Sequence, residues 1–293
     1  MNLNDLLRGR GIDPQQVLVL RHRPSEPELN RALPWLAAER PEIFNAYQQT
    51  QSEKLERAML GAKYIASFIG REAGKALFIG LYSIGASKPL TVGEYWRVPA
   101  YAELKTKFGM VGFKPAEGSR SSILWFDLVP TDFYPEWKGK LIIHWPPPER
   151  SWWRRAHKNE MAVVAVLQDS ALDGKLQSWD EINFSWGELA ILPTRLKSAL
   201  SQWRGIYYIF DTCDGKGYVG SAYGDGNLLG RWLTYAASGH GGNTQLRKRD
   251  PKNFRFTILQ RVSPDMDADD VIRVESTWKE RLHTRQPFGL NDN

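Results

Sequence analysis

Cysteine is nearly missing from this chain of 293 residues: Cys213 is the only one. That excludes an intrachain disulfide and any zinc site built on cysteine. Cys213 reads as a small filler in a turn, and a reducing cytoplasm suits a chain with a single thiol. No run of about 18 apolar residues occurs, so no membrane-spanning helix is expected. The opening stretch, Met1-Asn2-Leu3-Asn4-Asp5-Leu6-Leu7, lacks a basic segment followed by an apolar one, so no secretory signal is expected. Internal repeats and low-complexity tracts are also missing.

What the chain has is positive charge and indole. The net charge is +6, which favours an anionic partner, nucleic acid being the commonest. From Gly205 onward twelve Lys/Arg meet eleven Asp/Glu, so +5 of the +6 lies before Gly205. Ten of the twelve tryptophans also lie before it. The preceding part is therefore the better candidate for gripping nucleic acid. Its sharpest patch is Arg150-Ser151-Trp152-Trp153-Arg154-Arg155-Ala156-His157-Lys158. Arg150, Arg154, Arg155 and Lys158 could meet phosphates while Trp152 and Trp153 stack on or wedge between bases. The alternative is a solvated loop whose indoles pack inward.

Hydrophobic patterning divides the chain in two. Residues 1–200 mix helical stretches, cut by Pro34 and Pro41, with strand-like runs such as Gln16–Arg21, Tyr64–Gly70, Ala76–Tyr82, Ile123–Leu128, Lys140–Trp145 and Met161–Leu167, a last strand and loop over Trp179–Ile191, and a connector with a short helix over Leu192–Trp203. An α+β domain with a small curved sheet or barrel is expected, with a linker near Leu200–Arg204. After it, Gly205-Ile206-Tyr207-Tyr208-Ile209-Phe210 and Tyr218-Val219-Gly220 flank a polar turn and predict a hairpin. Ser221–Gly226 is a Gly-rich turn with no Walker-type lysine.

A helix is predicted over Leu228–Ala237 with Asn227 as its N-cap. Leu228, Trp232, Tyr235 and Ala236 share its apolar face, and Arg231 sits at the edge of that face. His240 lies in the glycine-rich loop Ser238–Asn243, as a base, a phosphate contact or an ordinary loop residue. Phe254–Gln260 alternates as a third strand. The last helix carries the most specific signal. Val271, Trp278 and Leu282 form an apolar stripe with Glu275 inside it, while Lys279 falls towards the polar side. A carboxylate on an apolar face is costly unless it is paired or metal-bound.

In this order and spacing, Gly205-Ile206-Tyr207, Tyr218-Val219-Gly220, Arg231 and Glu275 resemble the GIY-YIG nuclease domain, over residues 205–291. The resemblance implies a three-stranded antiparallel sheet flanked by helices and hydrolysis of DNA phosphodiesters with one Mg²⁺ or Mn²⁺ ion. By position, Glu275 would hold the metal and Arg231 would steady charge on the phosphate. Tyr207 and Tyr218 would line the site, one of them activating or positioning the water. His240 is similar to a histidine of restriction-type members, and Asn291 to a terminal asparagine that supports the site. Ser221 departs from the pattern, standing where many members carry lysine.

Residues 1–200 resemble small barrel readers of the PUA-like type, which implies a base flipped into an aromatic pocket. Together these imply a restriction or phage-defence endonuclease acting on double-stranded DNA, base-modified DNA included. A homodimer on DNA is one route to double-strand cuts, and no membrane is involved. A mobile-element or repair nuclease, and a nucleic-acid-binding protein with an inactive nuclease fold, are the alternatives.

Overall fold

The computed structural model describes residues 1–70, 72–115, 120–173 and 178–292. It divides into two compact units, Met1–Asp173 and Gly174–Asn293. Among the described residues no helix is long and apolar enough to cross a membrane.

The first unit opens with α1 (Leu3–Gly9) and β1 (Val17–His22). Helices α2 (Pro27–Glu39), α3 (Pro41–Gln48) and α4 (Glu53–Met59) carry the chain to β2 (Tyr64–Ile69). Because β1 and β2 pair in parallel, a crossover must join them, and these three helices are that crossover. Pro34 does not break α2 but lies inside it. The long β3 (Lys75–Thr91) follows, then α5 (Val92–Arg97), α6 (Pro99–Phe108), β4 (Ser122–Pro130), β5 (Leu141–His144), β6 (Trp153–Arg155) and β7 (Val163–Val166).

These strands form one seven-stranded sheet in the order β6-β1-β2-β3-β5-β7, with β4 also on β3. β3 is long enough to pair β5 near its start and β4 near its end, along the edge opposite β2. Every residue of β1 is buried. Val17 and Val19 face one core with Phe68, Phe78 and Trp145, while Leu18 and Leu20 face another with Leu55, Met59 and Phe126. The end strands β6 and β7 do not pair with each other. Of the two expected shapes, this is an open sheet and not a closed barrel.

The second unit begins earlier than the expected linker. It holds β8 (Asn183–Ser185), α7 (Trp186–Leu189), α8 (Thr194–Gln202), β9 (Arg204–Asp211), β10 (Gly217–Ala222), α9 (Asn227–Ser238), β11 (Phe254–Val262) and α10 (Ala268–Arg281). Leu189, Leu196 and Leu200 share one core with Tyr207, Trp232, Tyr235, Phe254 and Phe256. Leu200 is therefore core, and residues 178–200 belong with the carboxy-terminal unit. The sheet has four antiparallel strands, β10-β9-β11-β8, rather than three. The extra strand lies within the Trp179–Ile191 stretch expected in the first domain, and it pairs instead with β11.

Candidate active site

The hairpin of β9 and β10 sets the site. Its turn is braced by Arg249, which donates to Asp211 at 2.6 Å and to Asp214 at 2.8 Å. That guanidinium, against an opposing effect of burial and with help from the Lys216 backbone N–H, holds the Asp214 carboxyl down at about 2. In the ladder Tyr207 lies opposite Gly220. A Cβ at Gly220 would fall onto the Tyr207 hydroxyl, so the last residue of Tyr218-Val219-Gly220 must be glycine for the Tyr207 ring to lie where it does.

Tyr207 is fully buried. Its hydroxyl sits 3.0 Å from the Tyr235 hydroxyl and accepts from Arg231 Nε at 3.0 Å. Burial first, and then the neighbouring Tyr218, push the Tyr207 phenol well above its ordinary value, against the pull of Arg231. It therefore stays protonated and cannot act as a base. The Tyr235 phenol is raised too, again by burial first and then by Tyr207. Partial burial works against the Arg231 charge, but Tyr207 and Tyr235 outweigh it and its pKa lies above the ordinary value. Arg231 stands on α9 with Cζ 5.4 Å from the Tyr235 ring centroid. Among the described residues its hydrogen bonding runs through Nε alone, which leaves the terminal nitrogens available. The helix is capped by Gly226 in the left-handed region, not by Asn227, whose side chain donates to the Ser201 carbonyl at 2.8 Å.

Glu275 comes from α10, against β10. Its Oε2 accepts from the Ser221 hydroxyl, and its Oε1 lies 2.8 Å from Lys279 Nζ. Lys279 was expected on the polar side of the helix but is buried, at 8% exposure. The i,i+4 spacing lets its ammonium curl back onto the carboxylate. Leu282, expected in the apolar stripe, is exposed because α10 ends at Arg281. Ser221 thus gives the carboxylate a hydrogen-bond donor.

A cleft of about 490 Å³ gathers Tyr218, Ser221, Arg231 and Glu275, with Asp225, Asn227 and Thr234 among its other walls. Tyr207 does not line it. It stands behind Arg231, its ring centroid 6.4 Å from that of Tyr218. No group of three or more His, Cys, Asp or Glu is gathered as a ligand set among the described residues. The cleft's acidic donors are Glu275 and Asp225, and neither Cys nor His lines it. A hard divalent cation held by one or two carboxylates, water and phosphate oxygens suits that donor set, whereas a thiolate- or imidazole-bound metal does not.

His240 and Asn291 lie outside the cleft's walls. The Gly242 N–H donates to His240 Nδ1 at 2.9 Å. In the neutral ring the proton then sits on Nε2, which can donate to an anion but not accept a proton. The adjoining Gly241, at φ +56°, closes against the Tyr235 ring, where a Cβ would approach to 2.5 Å. Asn291 is buried and completes the free edge of β10. It accepts from Val219 N–H at 3.0 Å and donates to the Val219 carbonyl at 2.8 Å. Its place in the fold is that of a clasp on the Tyr218-Val219-Gly220 strand.

In the first unit, the basic patch is only partly a loop. Trp153, Arg154 and Arg155 form β6 on β1, and Trp152 and Trp153 pack against the core. Arg154 donates to the carbonyls of Pro146 and Pro148, at 3.1 Å each. Arg150, His157 and Lys158 are exposed. Both indoles are thus partly buried against that core, and Trp152 also lines a surface hollow. Sequence reasoning passed over the tie of Tyr235 to Tyr207, although Tyr235 lies one helical turn from Arg231.

No family model matches this chain, and no curated protein does. Among solved structures, the catalytic domain of the homing endonuclease I-TevI is similar at 26% identity over 31% of this chain and 98% of that one, with a TM-score of 0.26. That score is too low to carry the neighbour's fold or chemistry over, so the cleft is read on its own residues.

Proposed function

We propose that the Gly174–Asn293 unit hydrolyses phosphodiester bonds of double-stranded DNA with one Mg²⁺ or Mn²⁺ ion held at Glu275. The convergence of Arg231, Tyr218 and Glu275 on one cleft carries this reading. The ion supplies charge neutralisation at the scissile phosphate and an acidified water. Arg231, fixed through Nε by a phenol that keeps its proton, turns its terminal nitrogens to the phosphate oxygens and steadies the charge that develops there. Tyr218 is the tyrosine that reaches the cleft, and its hydroxyl orients the attacking water. Ser221 aims the Glu275 carboxylate. Glu275 also exchanges partners, since Lys279 occupies Oε1 in this structure. His240 serves as a phosphate donor at most.

Met1–Asp173 is read as the part that chooses the DNA, in a restriction or phage-defence setting, with base modification as the trait it senses. Two copies acting together would cut both strands. The Lys279–Glu275 ion pair favours a second reading, a DNA-binding protein whose nuclease fold is silent, because the ammonium stands where a cation would have to reach.

Plasmid incubated with Mg²⁺ or Mn²⁺ separates the two. Wild type is expected to nick it, and Glu275→Gln, which keeps the shape and the Ser221 bond, is expected to lose that activity. If wild type nicks no DNA at all, modified DNA included, the silent reading stands.

A further inference from the structure

Arg21 is a charged side chain near the carboxy-terminal end of β1, only 2% exposed. Its Nη2 donates to the Glu149 carbonyl. Among the described residues Nε and Nη1 have no hydrogen-bond partner. The Glu149 carboxylate is 3.9 Å from Nη1, beyond hydrogen-bond reach, and it is 43% exposed. The guanidinium lies 5.1 Å from the Trp145 ring centroid, which steadies it without meeting its donors. Burial draws the Arg21 pKa below its ordinary value. Glu149 opposes this, while Arg23 and Arg154 add to it. A buried cation with open donors is retained only where something meets them.

Arg21 borders a hollow of about 300 Å³ whose other walls are Arg23, Glu149, Arg150 and Trp152. Three guanidiniums face one rim carboxylate there. Among the described residues neither Arg23 nor Arg150 has a hydrogen bond or an ion pair, and both are exposed. We propose that this hollow is a phosphate-binding site, taking one phosphate group of the DNA with Arg21 at its floor and Arg23 and Arg150 at its mouth. The guanidinium fork matches phosphate oxygens in pairs, and the excess of cations favours an anion whose charge is shared over two or more oxygens. Glu149 weakens the site and keeps Arg21 partly compensated when it is empty. The assignment rests on the reading of Met1–Asp173 as the DNA-choosing unit. It keeps Arg150 of the basic patch and adds a buried arginine as the floor of the site.

Binding of a labelled duplex to the full chain, followed by anisotropy without divalent metal over a range of salt, tests it. The double variant Arg23→Gln/Arg150→Gln should bind about tenfold more weakly and lower the slope of log K against log salt by about 0.9, the share of one phosphate contact. Glu149→Gln should bind severalfold more tightly. Arg21→Gln should weaken binding as well. If it fails to fold, the exposed pair and Glu149→Gln still decide the matter.

Loss on duplexes with and without a 5′-phosphate assigns an internal phosphodiester, and loss only with it assigns a terminal phosphate. Unchanged affinity and slope in the double variant overturn the proposal. So does competition by inorganic phosphate with no effect of any variant on duplex binding. Because no metal is present, failure of the nuclease reading appears separately, as absence of plasmid nicking by wild type.

Discussion

Both units bury a chain of hydrogen-bonded polar side chains, and they end these chains differently. In the first unit His22 Nε2 lies 3.0 Å from the Ser67 hydroxyl, which donates to Gln48 at 2.9 Å, and Gln48 passes on to Asn45 at 3.1 Å. Asn45 closes the chain on the Leu128 carbonyl. Most of its members are buried, and all are uncharged while His22 is neutral. In the second unit Tyr235 and Tyr207 lead to Arg231, and the chain stops at a cation on an open cleft. A polar chain closed inside a core fixes one packing arrangement. A chain whose last member is charged and faces solvent holds a group ready for an incoming partner.

Breaking the open chain should have the largest effect. Arg231→Ala is expected to slow plasmid nicking by about a thousandfold, roughly 4 kcal/mol of transition-state stabilisation, while duplex affinity stays nearly unchanged. A matching loss of affinity would show that the second unit also grips the DNA. Arg231→Lys sharpens the point. It keeps the charge but loses the Nε bond to Tyr207, so it should recover little of the rate if positioning matters as much as charge.

The closed chain should respond to pH instead. Burial, opposed by Gln48, holds the His22 pKa down to about 4, against an ordinary 6.5. Between those values the unfolded chain binds a proton that the folded one does not. His22 burial is therefore tolerated at no penalty above pH 6.5, and stability falls as pH drops from 6.5 to about 4. The loss is on the order of 3 kcal/mol. Urea melts followed across that window should show the slope in wild type and lose it in His22→Gln. A wild type equally stable at both ends would mean that the chain opens to let the imidazolium reach water.

Smaller again is Asn291→Ala, which leaves both backbone groups of Val219 without their partner at the edge of β10. A cost of about 2 kcal/mol in thermal or urea melts is expected, with nicking reduced through misplacement of Tyr218. The least effect is expected from Asp214→Asn. The Arg249–Asp214 pair is stabilising above the ordinary carboxylate range and is lost as pH falls towards about 2. Asp214 is 39% exposed, however, and solvent screens it, so its removal should change stability by no more than about 0.5 kcal/mol.

The same contrast explains what could be read without coordinates. Apolar β-type runs on either side of a polar turn gave the hairpin of β9 and β10, and a period near 3.6 put Glu275 among Val271 and Trp278, because local spacing fixes which face a helical side chain takes. The inward turn of Lys279 could not be read this way, since a long flexible stem can leave its own face to reach a carboxylate. His22 showed no signal either. Its partners Ser67 and Gln48 are 45 and 19 residues from their bonded neighbours, and only the sheet and the crossover helices bring them together. The indoles of 152 and 153 needed the pairing of β6 with β1, a contact across more than 130 positions of sequence. The strand within Trp179–Ile191 and the short helix within Leu192–Trp203 were legible, but their assignment to the second unit was not, because their leucines pack on a core built by later elements.

The contact between Tyr207 and Gly220 has a consequence for inheritance. The first tripeptide ends in a ring, and the last residue of the second is the empty space that ring occupies. The two tripeptides are thus two sides of one fitted joint, although a turn separates them in the chain. A lineage that gains a side chain at 220 must give up the ring at 207, and with it the fixed end of Arg231. Variation at the two positions should travel together, and loss of either one should be followed by drift in the other.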